Sequence, residues 1–106
     1  MYSKDAEKFV AQITQQQNTL SFSGNLLITN ISETLTHLQT LKLESPLTLD
    51  FTKVVAVDTV AVSLILEIQR QLNHQHTEPG AMSVIGVPEN LRSLMQLYGV
   101  DGFLLN

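Results

Sequence analysis

Apolar and polar positions along this chain change period several times, and each change predicts an element. Phe9, Ala11 and Ile13 alternate with Val10, Gln12 and Thr14, the period of a half-buried strand. Gln15 to Asn18 is polar, with an asparagine suited to a turn. Thr19 to Phe22 alternates again until Ser23-Gly24-Asn25 closes a second strand, so the pair reads as a hairpin. Leu26 to Ile28 extends that strand or forms a connecting turn. Ile31, Leu35, Leu38 and Leu41 then fall at spacings of four, three and three, the apolar stripe of a helix that Asn30 or Ser32 can cap. Thr34, Thr36, His37 and Gln39 lie off the stripe. The helix ends before Lys42 to Pro46, because the residue ahead of a proline is pushed out of the helical region.

Leu47 to Phe51 has the length and apolarity of a third strand, followed by a short irregular crossing in which Val54, Val55 and Val57 keep a β-branched, extended character. Asp58 ends it, and Asp58-Thr59 opens a helix running to Leu72. Val60, Ala61, Val62, Leu64, Ile65 and Leu66 make its first two turns apolar nearly all round, and polar residues enter only from Glu67. Asn73 to Gly80 is a loop by composition, and Ala81 to Ile85 a fourth strand broken by Gly86. Pro88 fits just inside a third helix, where Leu91, Leu94, Met95 and Tyr98 share a core-facing side and Gly99 is the stop. Val100 to Asn106 is a short tail whose Phe103, Leu104 and Leu105 pack back on the domain or dock on a partner. The order β-β-α-β-α-β-α predicts an α/β fold with a mixed sheet covered by helices on one side.

Composition narrows the picture. A chain of 106 residues, 43% hydrophobic and 15% charged, has enough apolar surface for one core, and a single domain over residues 1–106 is expected. The net charge is −4, and the six Lys and Arg stand apart at positions 4, 8, 42, 53, 70 and 92, which argues against nucleic-acid binding. Cysteine is absent, so disulfides, thiolate nucleophiles and Cys-based zinc sites are excluded. The start, MYSKDAEKFV, lacks the basic-then-apolar pattern of a signal peptide. The run from Val54 to Leu66 is interrupted by Asp58, Thr59 and Ser63 and is too short to span a bilayer. A cytoplasmic protein without direct membrane insertion is the expectation.

The chemistry-bearing residues are few. Asp58-Thr59 has two readings: a helix cap with no further role, or a functional hydroxyl at a helix N-terminus, where unpaired amides and the helix dipole favour a phosphoryl group or a partner's acceptor. A phosphate on Thr59 would gain from the dipole and lose to the adjacent carboxylate, a balance suited to a switch. Asp50 and Asp58 form a carboxylate pair with no third group converging on them, so Asp50 reads as a pin for the turn after its strand. His74 and His76 read as solvated loop residues without metal partners, and His37 as a residue of a polar helix face. The phosphate-binding patterns GxxxxGK[ST] and GxGxxG are absent, and Ser21, Ser23 and Ser63 lack a nucleophile-elbow context. No catalytic residue, cofactor or metal site is expected.

Leu49-Asp50-Phe51-Thr52, followed by Val57-Asp58-Thr59 at the head of an aliphatic helix, resembles the STAS family over nearly the whole chain. That family includes anti-sigma factor antagonists and small subunits of transport complexes. The resemblance places Thr59 where the antagonists carry a phosphorylatable Ser or Thr, and Asp58 at the acid before it. Val60 and Ala61 stand where the family often has a small pair, and the bulk of Val60 moves the expectation from a phosphorylation switch to fixed docking. Threonine after the acid, the bare length, and Leu97-Tyr98-Gly99-Val100 with its apolar tail are most similar to the STAS subunits of Mla phospholipid-transport ABC complexes. The resemblance implies a non-catalytic subunit, peripheral to the inner membrane, that binds the ABC ATPase subunit and through it a permease, in support of outer-membrane lipid asymmetry. Asp58, Thr59, Val60 and Val62 would form the partner surface. The alternative it implies is an anti-sigma factor antagonist that binds an anti-sigma kinase and is phosphorylated on Thr59.

Overall fold

In a computed structural model of the protein, residues 12–76 and 80–104 are described. The expected strand positions Phe9 to Ala11 and the tail residues Leu105 and Asn106 lie outside them. The elements are β1 (Gln12–Gln16), β2 (Thr19–Leu26), α1 (Ile31–Gln39), β3 (Leu47–Val57), α2 (Val60–Gln75), β4 (Met82–Ile85) and α3 (Glu89–Leu97), with a 3₁₀ turn at Asp101–Phe103. The sheet order is β1-β2-β3-β4, with β1 antiparallel to β2 and the other pairs parallel. This is the mixed sheet the element order predicts.

Alternation along β2 sets the two faces of that sheet. Leu20, Phe22 and Leu26 are buried, while Thr19, Ser21, Ser23 and Asn25 point the other way and are half-buried. The core lies on the first face. There Leu49 and Phe51 of β3 meet Leu38 of α1, Leu64, Ile65 and Ile68 of α2, and Leu91 and Met95 of α3. The Phe22 and Phe51 rings stack at its centre, 4.9 Å apart with 22° between their planes. The three described helices therefore pack on that face.

Four local expectations need correction. β2 does not stop at Ser23 but runs through Gly24 (φ +81°) to Leu26, pairing along its length with β3. The supposed crossing after Phe51 is strand as well. Two extra residues in β3, one between the partners of Ser21 and Ser23 and one between those of Gly24 and Asn25, are bulges that break the period of two. α2 continues past Leu72 to Gln75, which places His74 in its last turn. Pro88 precedes α3 as its cap (φ −61°, ψ 155°) instead of standing inside it.

Thr34 is also misplaced by its polarity. Ile31, Thr34 and Leu38 form the buried side of α1, whereas Leu35 is only half-buried. Thr34 is 3% exposed, and its hydroxyl has no hydrogen-bond partner among the described residues. His37 lies on the exposed side, as its neighbours suggest.

Candidate functional site

The head of α2 is built by Asp58. Its Oδ1 accepts the amide of Val60 at 3.0 Å, the cap interaction that satisfies one orphan donor of the first turn. Its Oδ2 accepts the amide of Ile28 at 2.9 Å, across the β2–α1 connection. The backbone amide of Asp58 itself donates to the Leu26 carbonyl at 3.3 Å, extending the β2–β3 ladder by one bond. Asp58 is thus a half-buried fastener between two loops, with both carboxylate oxygens committed to amides.

Thr59 is exposed and its hydroxyl makes no capping hydrogen bond. Two grooves flank the ridge of α2 that it begins. The first, of about 190 Å³ between α1 and α2, is lined by Ile31, Leu35, Gln39, Val60, Ser63, Leu64 and Glu67. The second, of about 220 Å³ towards α3, is lined by Thr59, Val62, Ser63, Leu66 and Tyr98. Thr59 and Val60 therefore line different grooves. Val62 is 4% exposed and forms the floor of the second groove, so it supports that surface and does not project from it.

Two residues the sequence pattern assigned to the core, Leu66 and Tyr98, complete the second groove and are 46% and 54% exposed. Leu97 and Ile28 are exposed elsewhere, at 74% and 73%. The first two turns of α2 are not buried all round: Thr59, Ser63, Leu66 and Arg70 face outward at spacings of four, three and four. Tyr98 leaves the face shared by Leu91 and Met95 because the chain departs from helical geometry there (φ −94°, ψ 6°). An isoleucine between Leu27 and Thr29-Asn30, in a turn, was the one visible signal for Ile28. Further along α2, Glu67 and Arg70 form an ion pair. The hydrogen bond from Arg70 holds the Glu67 carboxyl below its usual range and raises the guanidinium.

The remaining candidates are spent on structure. Asp50 Oδ1 accepts from the Thr52 amide at 2.9 Å and from the Thr52 hydroxyl at 2.5 Å, which ties the first bulge of β3. Eight residues of extended chain separate it from Asp58, roughly 25 Å, so the two carboxylates do not converge. His76 is not solvated as expected, since its Nε2 lies 2.8 Å from the Leu43 carbonyl. Among the described residues there is no group of three or more His, Cys, Asp or Glu side chains that could hold a metal, and no helix is long and apolar enough to cross a membrane.

Comparison with known proteins places this chain and its fold in one family. The family model described as "Mlab, STAS domain" matches residues 9–106. This chain belongs to that family. Solved STAS-fold structures agree in architecture. The anti-sigma factor antagonist SpoIIAA in its unphosphorylated form superposes with a TM-score of 0.66 at 16% identity, covering 90% of this chain and 85% of that one. The Bacillus cell fate determinant SpoIIAA in its phosphorylated form gives 0.65 at 16% identity, covering 90% and 88%. At that identity the likeness is one of fold. A search of the curated proteins gave no match.

Proposed function

We propose that this STAS domain is a non-catalytic subunit of an ABC-type phospholipid-transport complex that supports outer-membrane lipid asymmetry, binding the ATPase subunit through the surface around Thr59. Through that ATPase it associates with a permease at the inner membrane. The carrying observation is the exposed Thr59 hydroxyl in a groove that it lines with Val62, Ser63 and the exposed side chains of Leu66 and Tyr98. The MlaB-type family match supports the transport assignment. The Asp58 carboxylate beside Thr59 keeps its negative charge, but two amides fix its position. The hydroxyls of Thr59, Ser63 and Tyr98 can fix the register of a partner while Leu66 supplies apolar contact area.

Thr59→Arg is expected to weaken binding to the ATPase by roughly 30-fold or more, the loss typical of a disrupted central contact. An exposed position leaves fold stability within about 0.5 kcal/mol. Titration calorimetry and thermal melts of the same sample measure both. An Arg variant that binds with unchanged affinity rejects the docking surface.

One observation favours a second reading, an anti-sigma factor antagonist switched by phosphorylation of Thr59. Val60 turns into the α1–α2 groove, so its bulk does not cover the hydroxyl. That leaves the hydroxyl at the N-terminus of α2 open to a phosphoryl group. Intact-mass measurement of protein from its native host, across growth conditions, is expected to show a phosphoryl adduct lost in Thr59→Ala under this reading, and unmodified protein throughout under the first.

A further inference from the structure

The face of the sheet to which Ser21 and Ser23 point carries a depression that the head of α2 does not share. It measures about 280 Å³ and is lined by Gln12, Thr14 and Gln16 of β1, Ser21 and Ser23 of β2, and Lys53 of β3. In the ladders Gln12 stands opposite Ser23, and Ser23 opposite Lys53, so the three lie side by side across three strands. Thr14 and Ser21 form the next row. Lys53 owes its place there to the first bulge of β3. Ser21 pairs with Asp50 and Ser23 with Lys53, so Phe51 and Thr52 together oppose the single Phe22. Without the extra residue Thr52 would stand opposite Ser23, and Lys53 would point into the core. The bonds from the Thr52 amide and hydroxyl to Asp50 Oδ1 hold this bulge. It delivers an ammonium group to a surface otherwise made of hydroxyls and carboxamides.

The lining narrows what the depression can hold. No carboxylate lines it, in a chain with ten acidic residues and a net charge of −4, and Lys53 forms no ion pair among the described residues. Asp50 stands opposite Ser21 but is not part of the lining, and its Oδ1 is engaged by Thr52. An ammonium without a counter-charge, set among hydroxyl and carboxamide donors, suits an oxyanion. Phe22 borders the depression, but its ring is 1% exposed and stacked on Phe51 in the core, so no aromatic face is offered to a nucleobase. No other apolar side chain lines it, which leaves an acyl chain without a wall to lie against. The two glutamines both donate and accept, as recognition of alcohol groups requires. We propose that this depression binds a small, water-soluble polyol phosphate, with the phosphate on Lys53 and Ser23 and the polyol hydroxyls on Gln12, Thr14 and Gln16. The site is independent of the docking reading and stands without it.

The test is a titration of the full chain, nitrogen-labelled, with glycerol phosphate, followed through the amide resonances. Saturable shifts are expected at Gln12–Gln16, Ser21–Ser23 and Lys53, with millimolar affinity, while Val60 and Ala61 at the head of α2 stay in place. Lys53→Gln is expected to weaken binding about fivefold, the scale of a charge-assisted contact on an open surface. Its melting temperature should not change, since Lys53 is exposed. Gln12→Ala and Gln16→Ala are expected to weaken glycerol phosphate and leave the weaker binding of inorganic phosphate as it was. Absence of shifts at the lining residues overturns the site, as does undiminished binding by Lys53→Gln. Shifts confined to Val60 and Ala61 would put the anion at the helix end instead. Equal affinity for inorganic phosphate would remove the polyol. Vesicles of phosphatidylglycerol present the same groups on a membrane, so binding to them that depends on Lys53, without binding of free glycerol phosphate, would overturn the soluble ligand.

Discussion

Phe51→Ala is expected to destabilise the protein by about 3–5 kcal/mol, the range for removing a buried aromatic ring and leaving a cavity. Phe51 is fully buried in β3, which has a parallel neighbour on each side, and its ring stacks on Phe22 from the adjacent strand. A domain of this length has a total stability of roughly 5–15 kcal/mol, so the loss takes about a fifth of it or more. Denaturant unfolding monitored by circular dichroism should show the midpoint falling steeply at near-constant slope. Phe51→Leu, which retains most of the volume, should lose no more than about 2 kcal/mol. A loss below about 1 kcal/mol for Phe51→Ala would contradict the central place of the ring pair.

Where the pattern of the chain failed as a guide, it failed for identifiable reasons. Strand period is readable only while alternation lasts, and the two bulges of β3 place Thr52 and Lys53 on the exposed side in succession, followed by buried Val54. Leu47 to Phe51, before the bulges, was legible. So was the helix beginning at Val60, because Asp58 and the aliphatic run after it leave few alternatives. Its end was not, since Asn73, His74 and Gln75 are composed like a loop. What holds the chain there is partly remote: Gln75 Oε1 accepts the Leu43 amide at 2.7 Å, while Asn73 Oδ1 accepts the nearby Gly80 amide at 2.9 Å. The first of these pairings crosses more than thirty residues and leaves no local trace. Thr34 shows the converse, a polar residue buried because the geometry of α1 turns it inward beside Ile31 and Leu38.

The candidate site was legible at its centre and not at its rim. Asp58 and Thr59 could be located because a capping acid and a following hydroxyl are a local pattern. The apolar rim could not, because Leu66 and Tyr98 have the spacing of core residues and only the packing of α3 against α2 decides which side of each helix stays open. Val62 was assigned to the contact surface for the same reason and lies beneath it. In this geometry Asp58 fixes the backbone, Thr59 is an exposed polar group, and Leu66 and Tyr98 are exposed apolar area beside it. Each can be changed separately, which makes the surface testable residue by residue.

Gly86→Ala is expected to cost about 3–4 kcal/mol although it adds one methyl group. The backbone at Gly86 has φ +68°, and a side chain in that left-handed region costs about 1–2 kcal/mol before any contact is counted. The new Cβ would also overlap the Thr52 hydroxyl and lie 2.9 Å from the Thr52 nitrogen and 3.1 Å from Asp50 Oδ1. Those atoms cannot easily yield, because Asp50 bonds both the amide and the hydroxyl of Thr52 and so fixes the bulge beneath Gly86. Gly99 provides the control. Its φ is +72°, but an added Cβ would meet nothing within 4 Å, so Gly99→Ala should show the backbone cost alone. Subtracting one loss from the other isolates the steric part. Adding Thr52→Ala to Gly86→Ala should then recover about 1 kcal/mol relative to the sum of the single changes, since the hydroxyl overlap is removed while the backbone nitrogen remains in place. Equal losses at Gly86 and Gly99 would mean that the Asp50–Thr52 pin does not press on the end of β4.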